Sequence, residues 1–286
     1  MVLVWTESKD KADYSLANTG IFGKIYDSST QTTIINDFHI NDVVPSNQIK
    51  PKVIAMNDGG FFVVWQGKDS HGKGIRGKRF SQSVVSPTYS EFNISTTEAN
   101  QQMKPLIGVF STGGFAVIWT GSNQDNNGVT VGGGDTGARG VFARIFDANA
   151  SATTAEFQVN VTEENLQEAL SVAVTNYDVL LVYYKSRYDI SQESYFRIFI
   201  VQFDINGNRV GTEWGVNPRV YNKILNGGSM VILDNNQVFE TIEYEMGSAI
   251  NDNSKWGING QIIQLYPPNF APTDISISLK NSIPDN

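Results

Sequence analysis

The residues of this 286-residue chain that could do chemistry are few. Its two histidines, His39 and His71, do not stand at a metal-ligand spacing such as His-x-x-x-His. It has no cysteine, which excludes disulfides, thiolate metal sites and cysteine nucleophiles. We find no nucleophile elbow and no phosphate-binding glycine loop. Because catalysis needs converging titratable groups, the sequence predicts no catalytic residue and no enzymatic activity.

One acidic loop has the composition of a calcium site. Asp204, Asn206 and Asn208 place oxygen ligands at alternate positions around Gly207. The bidentate Glu that completes such loops is missing, since Glu213 opens a strand. An Asn-Gly pair between two strands is also a common hairpin turn, so calcium and a simple turn both stay open. No other cofactor is expected.

Three Asn-x-Ser/Thr sequons make Asn149, Asn93 and Asn160 candidate glycosylation sites. Asn149 ranks first because it stands in a turn, whereas the other two stand within strands. All three matter only if the chain passes through a eukaryotic secretory route. The long loop 121–139 is a candidate ligand-binding loop, and an insertion without function is the alternative.

Charge excludes one class of partner. A net charge of −8 argues against nucleic acid, because phosphate binding needs clustered lysine and arginine. One local basic patch, Lys73, Arg76, Lys78 and Arg79, is expected to be the solvent-facing side of a strand. No apolar run approaches the length of a membrane span.

The elements that must position these residues are repeats of one β-hairpin. Its clearest copy, at 59–80, has an apolar run that ends at Trp65 and a second, half-polar strand. Similar hairpins carry their aromatic residue at Trp5, Trp119 and Tyr183, about sixty residues apart, and a fifth copy is more divergent. Both faces of these strands are apolar, so the four aromatic residues are predicted to be core anchors covered on both sides.

Two further short strands follow each hairpin, which makes four strands per repeat. Four-stranded sheets stacked face to face on copies of themselves describe a β-propeller. The predicted fold is therefore all-β, a propeller-like array of about five repeats over residues 1–266, the first reduced to two strands. Tandem β-sandwiches are the alternative, and they would predict a linker that we do not find before residue 266.

Residues 267–286 form a second segment, a Pro-rich linker followed by an extended strand. Its stretch Asn-Phe-Ala-Pro-Thr-Asp-Ile at 269–275 resembles the start of cadherin-like, immunoglobulin-type modules. The repeat Gly-Gly-Phe-x-Val-x-Trp resembles the propeller-type repeats of large secreted adhesin-like surface proteins of microbes. The resemblance implies a structural or adhesive protein, extracellular or at the cell surface.

An incomplete first repeat predicts self-association. Its first strand would expose an unpaired edge, and a strand from the tail of another copy could pair with it head to tail, forming a fibre. The residues expected at this contact are Val2, Leu3, Val4, Ile275, Ile277 and Leu279. Alternatively, the missing strands lie upstream in a longer chain. A lectin-like propeller that binds glycans is the alternative function.

Overall fold

The structure is a computed structural model, and it describes most of the chain between Met1 and Gln264. The described residues are 1–8, 19–42, 47–68, 72–81, 90–97, 101–122, 139–161, 166–190, 193–216, 220–221, 225–233, 237–245 and 256–264. All regular elements within them are β-strands, which agrees with the predicted fold class. No helix in these residues could therefore cross a membrane.

The strands group into five units along the chain. Unit 1 contains β1 (Val2–Ser8), β2 (Thr19–Asp27) and β3 (Thr32–His39). Unit 2 contains β4 (Ile49–Ala55), β5 (Phe61–Lys68), β6 (Lys73–Phe80) and β7 (Phe92–Asn93). Unit 3 contains β8 (Gln102–Val109), β9 (Phe115–Ser122), β10 (Arg139–Phe146) and β11 (Phe157–Gln158). Unit 4 contains β12 (Leu166–Val174), β13 (Leu180–Ile190), β14 (Glu193–Phe203), β15 (Trp214–Gly215) and β16 (Val220–Tyr221). Unit 5 contains β17 (Leu225–Leu233), β18 (Gln237–Glu245) and β19 (Trp256–Gln264).

Each unit is an antiparallel meander in which sequence neighbours pair, except that β16 of unit 4 pairs with β14 and not with β15. Unit 1 has three strands, so the prediction that it keeps only two was wrong. Its third strand is the one around Phe38, which pairs with Gly23 of β2. Tight turns join the first two strands of units 2, 3 and 4. In each turn a backbone N–H donates to the carbonyl four residues later: Met56 in unit 2, Phe110 in unit 3 and Thr175 in unit 4 are the donors.

The first strands of successive units lie side by side, and the units stack face to face around them. β4 contacts β8, β8 contacts β12, and β12 contacts β17. Apolar side chains fill the space between the stacked sheets: Phe62 of unit 2 packs at 4.4 Å, centroid to centroid, against Phe115 of unit 3. The chain is thus a β-propeller in which β4, β8, β12 and β17 are the inner strands.

The repeat in unit 4 is displaced by one residue from the predicted alignment. Phe115 and Leu180 open the second strands of their units, each opposite the phenylalanine that closes the third strand. Four residues further along stand Trp119 and Tyr184. Tyr184 is therefore the equivalent of Trp119, and Tyr183 belongs to the opposite face of its sheet.

The predicted anchors differ in their surroundings. Trp65, Trp119 and Tyr183 are fully buried, whereas Trp5 is half-buried. The Trp65 indole N–H donates to Gln48 Oε1 at 2.7 Å. Tyr183 faces unit 5, where burial and the carboxylate of the fully buried Glu240 raise the pKa of its hydroxyl.

Polar contacts between neighbouring units explain why a glutamate precedes the repeat aromatic. A carboxylate oxygen of each of these glutamates accepts a hydrogen bond from a backbone N–H of the preceding unit, at 2.6 to 2.9 Å. The pairs are Glu91 with Asp42, Glu156 with Thr96, and Glu213 with Val161. Because a charged acceptor makes these bonds stronger than neutral ones, they help to fix one unit against the next.

The basic patch of unit 2 is part of this inter-unit packing. Lys78 is 2% exposed and Arg79 is 8% exposed, so the expectation of a solvent-facing strand was wrong for both. The Lys78 ammonium donates to the carbonyl of Ile40 at 3.0 Å and to Asp42 at 2.6 Å. In the next unit Arg144 donates in the same way to the carbonyl of Ile94 at 3.0 Å.

Candidate active site

Two lysine–proline pairs interrupt the regular pairing of the inner strands. In β4 the register shifts between Ile49 and Lys52, and in β8 it shifts at the equivalent place. Lys50 and Lys104 each have a φ of 56° in these bulges. This left-handed backbone is unusual for lysine and costs on the order of 1–3 kcal/mol, and such strain is concentrated at functional sites. A β-bulge re-aims the side chain that it carries.

The two bulges border a pocket between the inner strands. Its volume is about 370 Å³, which lies in the range of small-molecule sites. Four inner strands supply its walls. β4 contributes Lys50, Pro51 and Lys52, β8 contributes Lys104, Pro105 and Leu106, β12 contributes Glu168, Ala169 and Leu170, and β17 contributes Gly228. These residues lie near the starts of their strands, so the pocket is at one end of the axis. We call it the axial pocket.

Gly228 forms the side of the axial pocket that carries no side chain. A Cβ atom at this position would lie 2.7 Å from Cε1 of Tyr183, which is closer than van der Waals contact allows. The wall at unit 5 is therefore bare backbone, and the polar groups of the pocket come from units 2, 3 and 4.

Glu168 is the one carboxylate among the described lining residues. Lys104 forms an ion pair with one of its oxygens, and Lys185 Nζ lies 3.6 Å from the other. Burial alone would raise the pKa of Glu168, but the nearby charges of Lys185, Lys104 and Arg139 outweigh burial and lower it. Glu168 is therefore ionised at neutral pH.

Lys50 has a different environment from Lys104. No carboxylate of the described residues forms an ion pair with it. Lys50 is an exposed residue. Partial desolvation of its ammonium nevertheless lowers its pKa, the positive charge of Lys104 lowers it further, and Glu168 opposes the shift. Both effects favour the neutral amine, which can accept a proton. The pocket thus combines Lys50, whose pKa lies below its ordinary value, with Lys104, which forms an ion pair with Glu168.

The predicted glycosylation sites divide into exposed and buried asparagines. Asn149 lies exposed in a turn, and Asn93 is also exposed. Asn160 is only 3% exposed, and its side-chain oxygen accepts the Val141 N–H at 2.8 Å. A glycan cannot be attached to an amide in that position of the folded chain, which counts against Asn160 as a candidate.

The carboxylate of the predicted calcium loop already has several partners. Asp204 Oδ1 accepts the N–H groups of Asn206 and Asn208 at 2.9 and 2.8 Å, and Oδ2 accepts the Asn208 amide at 3.0 Å. Asp147 makes the same turn one unit earlier, accepting the N–H of Asn149 at 2.8 Å. In the described chain no three acidic or histidine side chains cluster as metal ligands would.

The residues predicted for assembly are only partly described. Ile275, Ile277 and Leu279, like the whole tail 267–286 and most of the long loop 121–139, lie outside the described residues. Val2 and Val4 are partly buried against a cluster that includes Trp65 of unit 2, so that face of β1 is covered rather than exposed. Leu3, on the other face, is 43% exposed.

The pocket lysines were not identified as a site from the sequence. The repeated Lys-Pro pairs were visible, but a proline at the start of a strand has an adequate structural explanation. His39 is not among the described lining residues; it lies edge-on to Phe22, with ring centroids 4.8 Å apart. His71 lies outside the described residues.

The fold is similar to that of several carbohydrate-active enzymes. No protein-family model and no curated protein matches the sequence. An ulvan lyase of polysaccharide lyase family 25 is similar over 96% of this chain and 68% of its own, with a TM-score of 0.57 and 9% identity. The α-L-arabinofuranosidase Arb93A of Fusarium graminearum is similar over 92% and 72%, with a TM-score of 0.55 and 10% identity. A thermostable family-43 glycoside hydrolase is similar over 100% and 96%, with a TM-score of 0.50 and 10% identity.

These similarities contradict two expectations drawn from the sequence. The three structures named above are two glycoside hydrolases and a polysaccharide lyase. The predictions of a fibre subunit without enzymatic activity are corrected accordingly. The adhesin-like motifs describe strand cores and turns, which any propeller needs, and so they carried no information on activity.

Proposed function

We propose that this protein is a carbohydrate-processing enzyme that cleaves polysaccharide chains at the axial pocket. The observation that carries the proposal is the convergence of Lys50, Lys104 and Glu168 from three inner strands on one pocket. Lys50 and Lys104 stand on the two bulges, and all three residues belong to inner β-strands. Rigid placement of polar groups on strands is what catalysis requires.

The proposal includes an extracellular location. The polysaccharides of cell walls and matrices lie outside the cell, and an enzyme that cleaves them acts there. The resemblance of the repeats to secreted surface proteins supports the same location, and the propellers of similar fold support the carbohydrate substrate.

Release of new reducing ends from a panel of neutral and anionic polysaccharides tests the proposal. The intact chain should release them from at least one member, and Lys104→Met should reduce kcat/KM at least about tenfold, because it removes a charged group from the site. Lys24→Met is the matched control, since Lys24 forms an exposed ion pair with Asp37 at 3.1 Å, remote from the pocket lining. Absence of new reducing ends from every polysaccharide would refute the proposed enzymatic activity. Activity of Lys104→Met equal to that of the wild type would refute the axial pocket as its site.

A further inference from the structure

The charge of the axial pocket is opposite to that of the protein. Lys52 and Lys104 line it together with Glu168, and Lys50 adds a further positive charge when it is protonated, whereas the whole chain carries −8. A pocket whose charge is opposite to the net charge of the protein attracts ligands of the opposite charge to the pocket. The lining therefore favours a sugar that carries negative charge.

The single carboxylate among the described lining residues of the pocket does not suit glycoside hydrolysis. Hydrolases commonly use two carboxyl groups on opposite sides of the scissile bond, one of them protonated. Glu168 is alone among the described lining residues, and the lysines that surround it keep its pKa low. A group in that state cannot donate a proton to a leaving oxygen.

Resting on the proposed function, we infer that the substrate is a uronic-acid polysaccharide and that the axial pocket cleaves it by β-elimination. Lys104 binds the uronate carboxylate, and Lys50 is the catalytic base. The assignment follows from the contrast between the two lysines: Lys104 is anchored by Glu168, whereas Lys50 has no ion-pair partner among the described residues. Both stand at the same bulge position of neighbouring inner strands, and both line the one pocket.

The reaction balances without any further reactant. Positive charge at the uronate carboxylate makes the adjacent C5–H bond more acidic. The neutral Lys50 amine takes the C5 proton, the electron pair of that bond forms the C4=C5 double bond, and the C4–O glycosidic bond breaks. The departing oxygen receives the proton back from the Lys50 ammonium. The products are a chain with a new reducing end and a chain that begins with an unsaturated uronate.

The electrostatics of Lys50 suit this role. Partial desolvation and the charge of Lys104 lower the pKa of Lys50 below its ordinary value of 10.5, which raises the fraction of neutral amine at a given pH. The rate should rise with pH and level off above an apparent pKa lower than 10.5.

The test uses polygalacturonate, the same polymer with its carboxylates reduced to alcohols, and a neutral glucan. Two signals are followed together. Ultraviolet absorbance reports the conjugated double bond of the unsaturated uronate, and new reducing ends report chain cleavage of any kind. We expect both signals from polygalacturonate or another uronate polymer and neither from the reduced form. Lys50→Met should lower kcat by about 10²–10⁴-fold with little change in KM, the size of a lost general base. Lys50→Arg should be equally inactive, because guanidinium does not deprotonate, and Lys104→Met should mainly raise KM.

The outcomes separate this inference from the proposed function. Reducing ends without ultraviolet absorbance would show hydrolysis, which overturns the inference and leaves the proposed function standing. Lack of both signals from every polysaccharide overturns both. Elimination at the wild-type rate by Lys50→Met, with circular dichroism and thermal midpoint matching those of Lys24→Met, overturns Lys50 as the base. Loss of elimination in Lys50→Met with an unchanged thermal midpoint supports it.

Discussion

The two ends of the propeller use charge in opposite ways. At the end that contains the tight turns, aspartates bind backbone N–H groups: Asp58 Oδ1 accepts the Gly60 N–H at 3.0 Å, and Asp178 Oδ1 accepts the Ser111 N–H at 2.6 Å. At the end with the bulges, lysines surround a pocket and share one carboxylate. Asp58 and Asp178 thus bind backbone at the turns, whereas Glu168 is held between lysines. The charge left for a ligand is positive.

The largest expected effect comes from the core that lies between the two ends. Trp119 is fully buried, so Trp119→Ala should lower the free energy of unfolding by about 3–5 kcal/mol and weaken both ends together. Trp5→Ala is the matched control, because Trp5 is half-buried and its loss should be smaller. Urea unfolding followed by fluorescence measures both. Equal effects of the two substitutions would contradict the difference in burial.

A smaller effect is expected at the turn end alone. Both oxygens of Asp178 accept hydrogen bonds at 2.6 Å from Ser111, which belongs to the neighbouring unit. Asp178→Ala should lower the free energy of unfolding by about 1–2 kcal/mol, because two bonds to a charged acceptor are lost at a partly exposed site. Cleavage at the axial pocket should be unchanged. Asp37→Ala, which removes an exposed ion pair, should change stability by less than about 0.5 kcal/mol. A loss of activity in Asp178→Ala would show that the two ends are coupled.

The smallest effect concerns the Asp204 turn and its pH dependence. Although burial opposes the shift, hydrogen bonds from Asn208 and Asn206 lower the pKa of Asp204 below its ordinary value of 3.8. The carboxylate therefore stabilises the fold at neutral pH, and this contribution is lost as the pH falls below 3.8. Asp204→Asn should cost about 0.5–1 kcal/mol at neutral pH and less in acid. The thermal midpoints of the wild type and of Asp204→Asn, measured at both pH values, test this difference. The same measurement is repeated with calcium. A thermal midpoint that calcium raises in the wild type but not in Asp204→Asn would identify a metal site instead.

The fold could be predicted because units 2 and 3 repeat the same local signals and the other units keep enough of them to be aligned. Glycine pairs mark the turns before Phe61 and Phe115, and the apolar runs that follow are long enough to define strands. The register of unit 4 could not be predicted, because its turn before Leu180 lacks glycine and its strand is apolar on both faces. Alternation sets the register only when one face is polar.

The candidate site could not be predicted for a different reason. Lys50, Lys104 and Glu168 are more than fifty residues apart in sequence from one to the next, and only the stacking of inner strands brings them together. Their local patterns describe strand starts. The buried environment of Lys78 was equally invisible, because the carbonyl and carboxylate that bind it belong to another unit.

The bare backbone at Gly228 makes the lining of the pocket asymmetric. Units 2, 3 and 4 present side chains to the axis, whereas any side chain at Gly228 would collide with Tyr183. A site assembled from copies of one repeat is thereby made unequal around its circumference. A sugar polymer has two different ends, and we expect it to enter such a site in one orientation, with its non-reacting sugars along the bare wall.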